Sequence, residues 1–151
     1  MRLIPGLEKA EFVRFGQIHR NTYINSPALL TATLQLRLSP KVLFAGQISG
    51  VEGYVESIAT GLVAGRFAAD LAMGQPLRLF PRETAIGSLC HYISAADPSD
   101  YQPANITFDL LPALDEIARQ RLRRDKRGRH AEVCRRAIES MDTFLEAYAR
   151  V

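Results

Sequence analysis

The chain of 151 residues contains no tryptophan, three methionines and only two cysteines. Cys90 and Cys134 lie far apart and fit no CxxC or Cys/His ligand spacing. That excludes a disulfide-built scaffold and leaves a structural zinc site short of ligands. Two reduced, buried thiols on apolar faces are the expectation. Long apolar runs are lacking as well. The longest charge-free stretch, residues 21–36, is broken by Asn25, Pro27 and several threonines, and falls short of the roughly 18–20 apolar residues a bilayer span needs. Met1 to Gly6 runs on to Glu8 with no apolar core of a signal peptide, so a cytoplasmic protein that meets no membrane is expected. A GxGxxG dinucleotide fingerprint and a Walker loop are both absent. Ten glycines and eight prolines are too few for a collagen-like or low-complexity chain.

What is present is ordinary for a globular protein: 47% apolar and 23% charged residues. A compact chain of this size can bury about 68–70% of its unfolded surface. The first forty residues read as loops and extended segments. Alternation predicts a short strand over Glu11–Phe15, an extended stretch over Thr22–Ile24, and a half-buried strand over Leu30–Leu38 closed by Ser39-Pro40. The continuous apolar run Val42–Ala45 reads as a strand buried on both faces of an α/β sheet. A helix is predicted from about Tyr54 to Met73, its apolar side carrying Ile58, Leu62, Ala69 and Leu71, with Gly74 stopping it at the C′ position. Gly61 and Gly65 share one face of it and suit close helix–sheet packing. Thr84 is a good N-cap for a helix over Ala85–Ser94. Pro112 fits the first turn of a last helical region, with Asp115 and Glu116 near its positive end. That region is expected to break near Gly128 and then carry an apolar stripe of Cys134, Ala137, Ile138, Met141, Leu145 and Tyr148.

The stretch from Leu43 to Ser57 carries the most chemistry. It combines a strand, a turn with Gly46, Gly50 and Gly53, and a helix start. Glycines let a backbone pass close to a ligand, and free N–H groups at a helix N-terminus attract an anion or a polarised oxygen. The same spacing also suits a tight turn that only packs a helix on a sheet.

FAGQISGVEGYVESIATGLVAG at 44–65 closely resembles the flavin-contacting segment of the folate- and FAD-dependent tRNA uracil-5-methyltransferases (TrmFO), relatives of the GidA/MnmG tRNA-modifying flavoproteins. IPGLEKAEFVRFGQIHRNTYINSP at 4–27, TLQLRLSPKVLFAGQ at 33–47 and FPRETAIGSLCHYISAADPSDYQPANITFDLLP at 80–112 resemble the same family. The VEGYVES form and the FPRET-LCHYI block favour the methyltransferase over GidA. The resemblance implies transfer of a one-carbon unit from methylenetetrahydrofolate, by way of reduced flavin, to C5 of a uridine in the tRNA T-loop, with NAD(P)H as reductant. It places the ribitol and ring of FAD beside Gly46, Gln47, Gly50 and Gly53, Tyr54 against the flavin, and the N–H groups of Val55 and Glu56 at the pyrimidine edge. It implies an α/β fold: residues 1–40 as part of an inserted β-rich substrate domain, 41–111 as the C-terminal part of an FAD-binding domain, and 112–151 as a basic helical tail. Relatives of this kind are about three times longer, and neither their dinucleotide fingerprint nor their nucleophilic cysteines occur here. This chain alone is therefore expected to bind FAD weakly or not at all, to be inactive, and to need a missing N-terminal half or to self-associate. Exposed apolar surface should accompany that incompleteness.

Arg14, His19, Arg20 and Asn21 form a polar cluster able to hold the folate or the uridine phosphate, or only a solvated loop. Arg82 and Glu83 read as an ion pair at a helix start, and His91 as a core histidine. Ser49 and Ser57 lack any His/Asp partner arrangement. Between Arg119 and Arg136, nine basic residues face only Asp125 and Glu132, so this segment carries +7 and the rest of the chain −4 of the total +3. Arg121, Arg123, Arg124, Lys126, Arg127 and Arg129 are the candidate tRNA contacts on a helical arginine face, arginine suiting phosphate oxygens; a solvated outer face is the plain reading of such a run. Two further functions stay open: a non-catalytic RNA-binding or assembly module on the same fold, and a GidA/MnmG-type wobble-uridine modification protein.

Overall fold

A computed structural model describes residues 22–149 and, ahead of them, Pro5, Gly6, Glu8, Lys9 and Glu11. The strand expected over 11–15 lies, beyond Glu11, outside the described residues. So do Arg14, His19, Arg20 and Asn21. The described fold is mixed α/β, with a two-stranded sheet and five α-helices.

Pro27 sits in the first turn of a short helix, α1 (Ser26–Leu29), where its fixed φ and missing N–H cost nothing. The single strand expected over Leu30–Leu38 is instead interrupted twice, by a turn before Gln35 in which Leu34 adopts φ 62 and by a tight turn at Arg37-Leu38. The result is an antiparallel hairpin, β1 (Gln35–Leu36) and β2 (Ser39–Leu43), with an irregular register between Leu36↔Ser39 and Gln35↔Leu43. Ser39-Pro40 thus opens a strand rather than closing one. Nor is Val42–Ala45 a strand buried on both faces. Val42 is 42% exposed, and β2 pairs only with β1. Apolar continuity by itself does not distinguish a central strand from an open-edged one.

A 3₁₀ turn (Gly46–Ser49) leads into α2 (Tyr54–Ala72). Gly74 ends α2 with φ +68, and the Gln75 N–H donates to Asp70 O at 2.8 Å while the Gly74 N–H donates to Leu71 O at 3.1 Å. These are the paired bonds of a Schellman stop. The buried face of α2 is Thr60, Val63, Phe67 and Asp70, not the Ile58/Leu62/Leu71 side. Tyr54, Val55, Ile58 and Leu62 are 92%, 76%, 73% and 74% exposed. Because α2 is apolar nearly all round, periodicity could not choose between its faces. Nothing described lies within 4 Å of where a Cβ on Gly61 or Gly65 would stand, so the close packing expected there is not made by the described residues. The exposed apolar surface expected of an incomplete globule is present on this face.

Thr84 caps α3 (Ala85–Ala95), its Oγ1 accepting from the Gly87 N–H at 3.0 Å. The core joins α2, α3 and the hairpin through Leu34, Val51, Val63, Phe67, Leu89, Cys90, Ile93 and Tyr101. A second 3₁₀ turn (Phe108–Leu110) precedes α4 (Glu116–Arg121), whose N-cap is Asp115, accepting from the Ala118 N–H at 2.7 Å. Pro112 therefore precedes the helix instead of lying in its first turn. The break falls at 122–125, ahead of Gly128, and α5 (Lys126–Ala149) runs unbroken through that glycine. Asp125 sets the new start: its Oδ1 accepts from the Gly128 N–H at 2.8 Å.

The stripe that α5 turns inward holds Val133, Ala137, Ser140, Met141, Phe144 and Tyr148. Cys134, Ile138 and Leu145 are exposed, contrary to the expectation of burial. Aromatic stacking and polar clasps decide the rotation. Phe144 packs against Phe80 at 4.8 Å between centroids. The Tyr148 hydroxyl donates to the buried Asp70 at 3.0 Å, and Arg66 and Arg78 lie over the Tyr148 ring at 4.5 and 5.0 Å. Arg136 donates to the carbonyls of Pro112 and Ala113. No helix among the described residues is long and apolar enough to cross a membrane.

Candidate functional site

The glycine turn is built around one buried carbonyl. The Tyr101 hydroxyl donates to Ser49 O at 2.6 Å and the Ser26 hydroxyl donates to the same oxygen at 2.9 Å. Ser49 Oγ in turn donates to Gly46 O at 2.7 Å, and the Gly46 N–H donates to Thr60 Oγ1 at 3.1 Å. The turn is thereby tied to α1, to α2 and to the 101–104 segment, with which it also forms a parallel bridge at Val51↔Ala104. Gly50 and Gly53 have φ of +83 and +89. A Cβ on Gly50 would collide with the Tyr101 hydroxyl, and one on Gly53 with the Glu56 carboxylate and Asn105. Both glycines are thus dictated by neighbours as well as by backbone angle.

The inner side of the turn is closed; its outer side is open. Gln47, Gly53, Tyr54 and Val55 are exposed, while Gly46 and Gly50 are buried and Glu56 is half-buried. The N-cap position of α2 is Gly53, which offers no side-chain cap, so the first N–H groups of the helix have no side-chain acceptor among the described residues. A helix start of this kind favours an anion or a polarised oxygen. Beside it, Val55, Glu56 and Ala59 of α2, Ala85, Ile86 and Leu89 of α3, and Ile106 line an apolar recess of about 310 Å³. The structure gathers the seven residues expected beside the flavin in one turn and helix start, with Gln47, Gly53, Tyr54 and Val55 on its open side, Glu56 half-buried, and Gly46 and Gly50 buried beneath. Tyr101, Ser26 and Thr60, which tie the turn to its neighbours, are not glycines of the turn and are not among the expected site residues, although each lies in one of the blocks that resemble the family.

Other candidates resolve differently. Arg82 donates to Ser88 Oγ at 2.5 Å and to Leu110 O at 2.6 Å, tying α3 to the 3₁₀ turn rather than pairing with Glu83. Burial holds its pKa below the usual arginine value. His91 is exposed, not a core residue; partial desolvation first, and the nearby Arg82 charge second, lower its pKa. Burial pushes the Cys90 thiol up to about 12, which leaves it without nucleophilic character near neutrality. No group of three or more His, Cys, Asp or Glu among the described residues is placed to hold a metal.

The arginines of the basic segment divide into two sets. Arg119 pairs with Glu116 at 3.5 Å, Arg135 with Glu132 at 2.6 Å and with Glu139, and Arg136 with two carbonyls. Arg129, expected to contact RNA, donates to Leu122 O at 2.9 Å and Arg123 O at 2.7 Å and so closes the end of α4. Arg121, Arg123, Arg124, Lys126 and Arg127 are exposed, and their side chains make no hydrogen bond or ion pair among the described residues. They occupy the corner between α4 and α5, not a continuous helical face.

A mixed α/β chain with a glycine-rich turn opening a helix matches, over residues 1–76, the family described as Glucose inhibited division protein A; the chain belongs to that family. Within it, the chain is 70% identical over 147 residues to the methylenetetrahydrofolate--tRNA-(uracil-5-)-methyltransferase TrmFO of Solibacter usitatus (strain Ellin6076), covering 97% of this chain and 33% of the relative. It is 61% identical over 145 residues to the protein of that name from Koribacter versatilis (strain Ellin345), and 58% over 145 residues to that of Pelotomaculum thermopropionicum, covering 96% of this chain and 32% of the relative in each case. The chain spans about a third of the length of the curated relatives it matches.

Proposed function

We propose that the chain is the C-terminal part of a methylenetetrahydrofolate- and FAD-dependent tRNA methyltransferase that forms 5-methyluridine in the T-loop. The observation that carries this is the 70% identity to a TrmFO protein across 97% of the chain. On this reading residues 41–111 are the end of an FAD-binding domain, 1–40 belong to an inserted substrate domain, and 112–151 form the basic tail. FAD, when bound, supplies the redox chemistry that passes a one-carbon unit from methylenetetrahydrofolate to uridine C5, with NAD(P)H as reductant.

The open turn fits such a group in the character of its donors. The uncapped N–H groups of Tyr54, Val55 and Glu56 suit the electron-rich pyrimidine edge of a reduced flavin, Gln47 its ribitol, and the exposed Tyr54 ring its flat face. Gly46, Gly50 and Gly53 hold the backbone where those donors converge. Arg14, His19, Arg20 and Asn21 would hold the folate or the uridine phosphate. The enzyme would work in the cytoplasm, its partners being tRNA and the remaining two-thirds of the polypeptide seen in the relatives.

The test is flavin binding and tRNA methylation by the chain alone and after co-expression with the remaining two-thirds of the Solibacter relative. The chain alone should carry little or no flavin and transfer no methyl group. The combination should be yellow and form 5-methyluridine. Stoichiometric flavin on the isolated chain, or a colourless and inactive combination that nevertheless assembles, would refute it. The family match keeps a second reading in view, a wobble-uridine modification protein of the GidA type; nucleoside analysis of the tRNA product separates the two.

A further inference from the structure

The corner between α4 and α5 is electrostatically costly to the fold. Five exposed basic side chains, Arg121, Arg123, Arg124, Lys126 and Arg127, fall within seven consecutive residues and repel one another. Lys126 and Arg127 also open α5, whose first turn holds no acidic residue. Positive charge at a helix N-terminus opposes the macrodipole. The exposed acidic residue at the corner, Asp125, accepts from the Gly128 N–H and forms no ion pair with the five cations. Glu132, on which Arg121 acts, is already bonded to Arg135.

The corner is nonetheless rigidly built. Arg129 bonds the carbonyls of Leu122 and Arg123 from below. His130 stacks flat on Phe108, 3.9 Å between centroids and 4° from parallel, anchoring the start of α5 to the 108–110 turn. A fold that fixes five exposed cations, none of them held in an ion pair among the described residues, where they weaken a helix carries a cost that a bound anion would offset.

We infer that the α4–α5 corner is a docking surface for the phosphate backbone of a folded RNA. Four of the five cations are arginines, whose planar fork matches phosphate oxygens in pairs. A protein partner would want an apolar centre, and an anionic membrane an apolar helix face; the one apolar side chain between residues 121 and 127 is Leu122, which is half-buried. Contacts of this kind fix position and orientation and read no sequence. That the RNA is tRNA rests on the function proposed above; the anion-binding corner does not.

If all five cations meet phosphates, log K should fall against log salt with a slope of about −3.5 to −4.5, a loss of roughly 10²–10³-fold between 50 and 200 mM. The experiment measures binding of the full chain to a tRNA transcript across that range, for the unmodified chain, for Arg124→Gln/Arg127→Gln, and for Arg37→Gln/Lys41→Gln. The last pair removes two exposed charges from the hairpin. The corner pair should lower the slope by about 2 and weaken binding at 50 mM by about 10²-fold, while the hairpin pair leaves both unchanged. The corner pair should melt at or slightly above the temperature of the unmodified chain, since it removes mutual repulsion and a charge opposed to the start of α5, and the hairpin pair should match the unmodified chain; none of the four side chains has a folded-state partner among the described residues. Equal losses from both pairs, a salt-independent affinity, or binding to phosphatidylglycerol vesicles but not to tRNA would overturn the inference. No step needs flavin or methyl transfer. A chain that binds tRNA through the corner but fails to methylate with its complement sinks the enzyme reading alone, and methylation without a corner effect sinks this one alone.

Discussion

The same substitution, glycine to alanine, should move stability in opposite directions at Gly50 and Gly61. At Gly50 two costs add. An L-residue at φ +83 costs about 1–2 kcal/mol. The new Cβ also collides with Tyr101 and forces its ring away from Ser49 O, which its hydroxyl now meets at 2.6 Å. That leaves a buried hydroxyl without an acceptor, a penalty of about 1–3 kcal/mol. Ser49 O itself keeps the Ser26 hydroxyl, so no second penalty arises. Gly50→Ala should therefore lose about 2–5 kcal/mol, or roughly 5–20 °C in Tm for a chain of this size. Gly61 lies inside α2 with nothing within 4 Å of its would-be Cβ. Alanine there removes only unfolded-state freedom and should gain about 0.5–1 kcal/mol. Urea unfolding followed by far-ultraviolet circular dichroism suits a chain without tryptophan. Two changes of the same sign, or a Gly50→Ala chain as stable as its parent, would refute the account of the turn.

Three further outcomes can be measured directly. At pH 8 the exposed Cys134 should react with a disulfide reagent at an ordinary rate, and the buried Cys90, its pKa pushed up to about 12, more than about 10³-fold more slowly; two equally fast thiols in the folded chain would contradict the burial described. Cys90 and Tyr101 both have folded pKa values of about 12, raised by burial from ordinary values of 9.0 and 10.0. Their contribution is thus complete below pH 9 and lost as pH climbs toward 12, so Tm should be level from pH 7 to 9 and then fall, less steeply in Cys90→Ala. Thr84→Ala should lose about 1–2 kcal/mol, because Oγ1 both accepts from the Gly87 N–H and donates to Pro81 O at 2.7 Å; a cost under a few tenths would show that the cap contributes nothing.

Legibility followed locality. The bounds of α2, its glycine stop and the Thr84 cap depend on residues within one helical turn, and each was readable from spacing. The buried face of α2 was not, because Ile58 and Leu62 are as apolar as Val63 and Phe67, and only α3 and the hairpin decide which side is covered. The apolar stripe expected on α5 lies about one residue out of phase with the face that is buried. Phe80, Asp70 and Arg78, all distant in sequence, fix Phe144 and Tyr148 inward, and with them they turn Cys134 outward. At the candidate site, the glycines advertised a turn. Why Gly50 must be glycine depends on Tyr101, whose hydroxyl reaches Ser49 across 52 positions. The surplus of positive charge was plain from composition, but which arginines are free depended on where α4 ends.

The shared acceptor at Ser49 has a consequence in time as well as in energy. One oxygen receives hydroxyls from α1 and from the 101–104 segment, so the turn cannot swing open while either neighbour stays in place. Its amides, Val51 among them, should therefore exchange with deuterated solvent only as fast as the whole core opens, and not as a separate, faster loop. A ligand that lands on this surface would find it already shaped and would spend none of its binding energy on setting it.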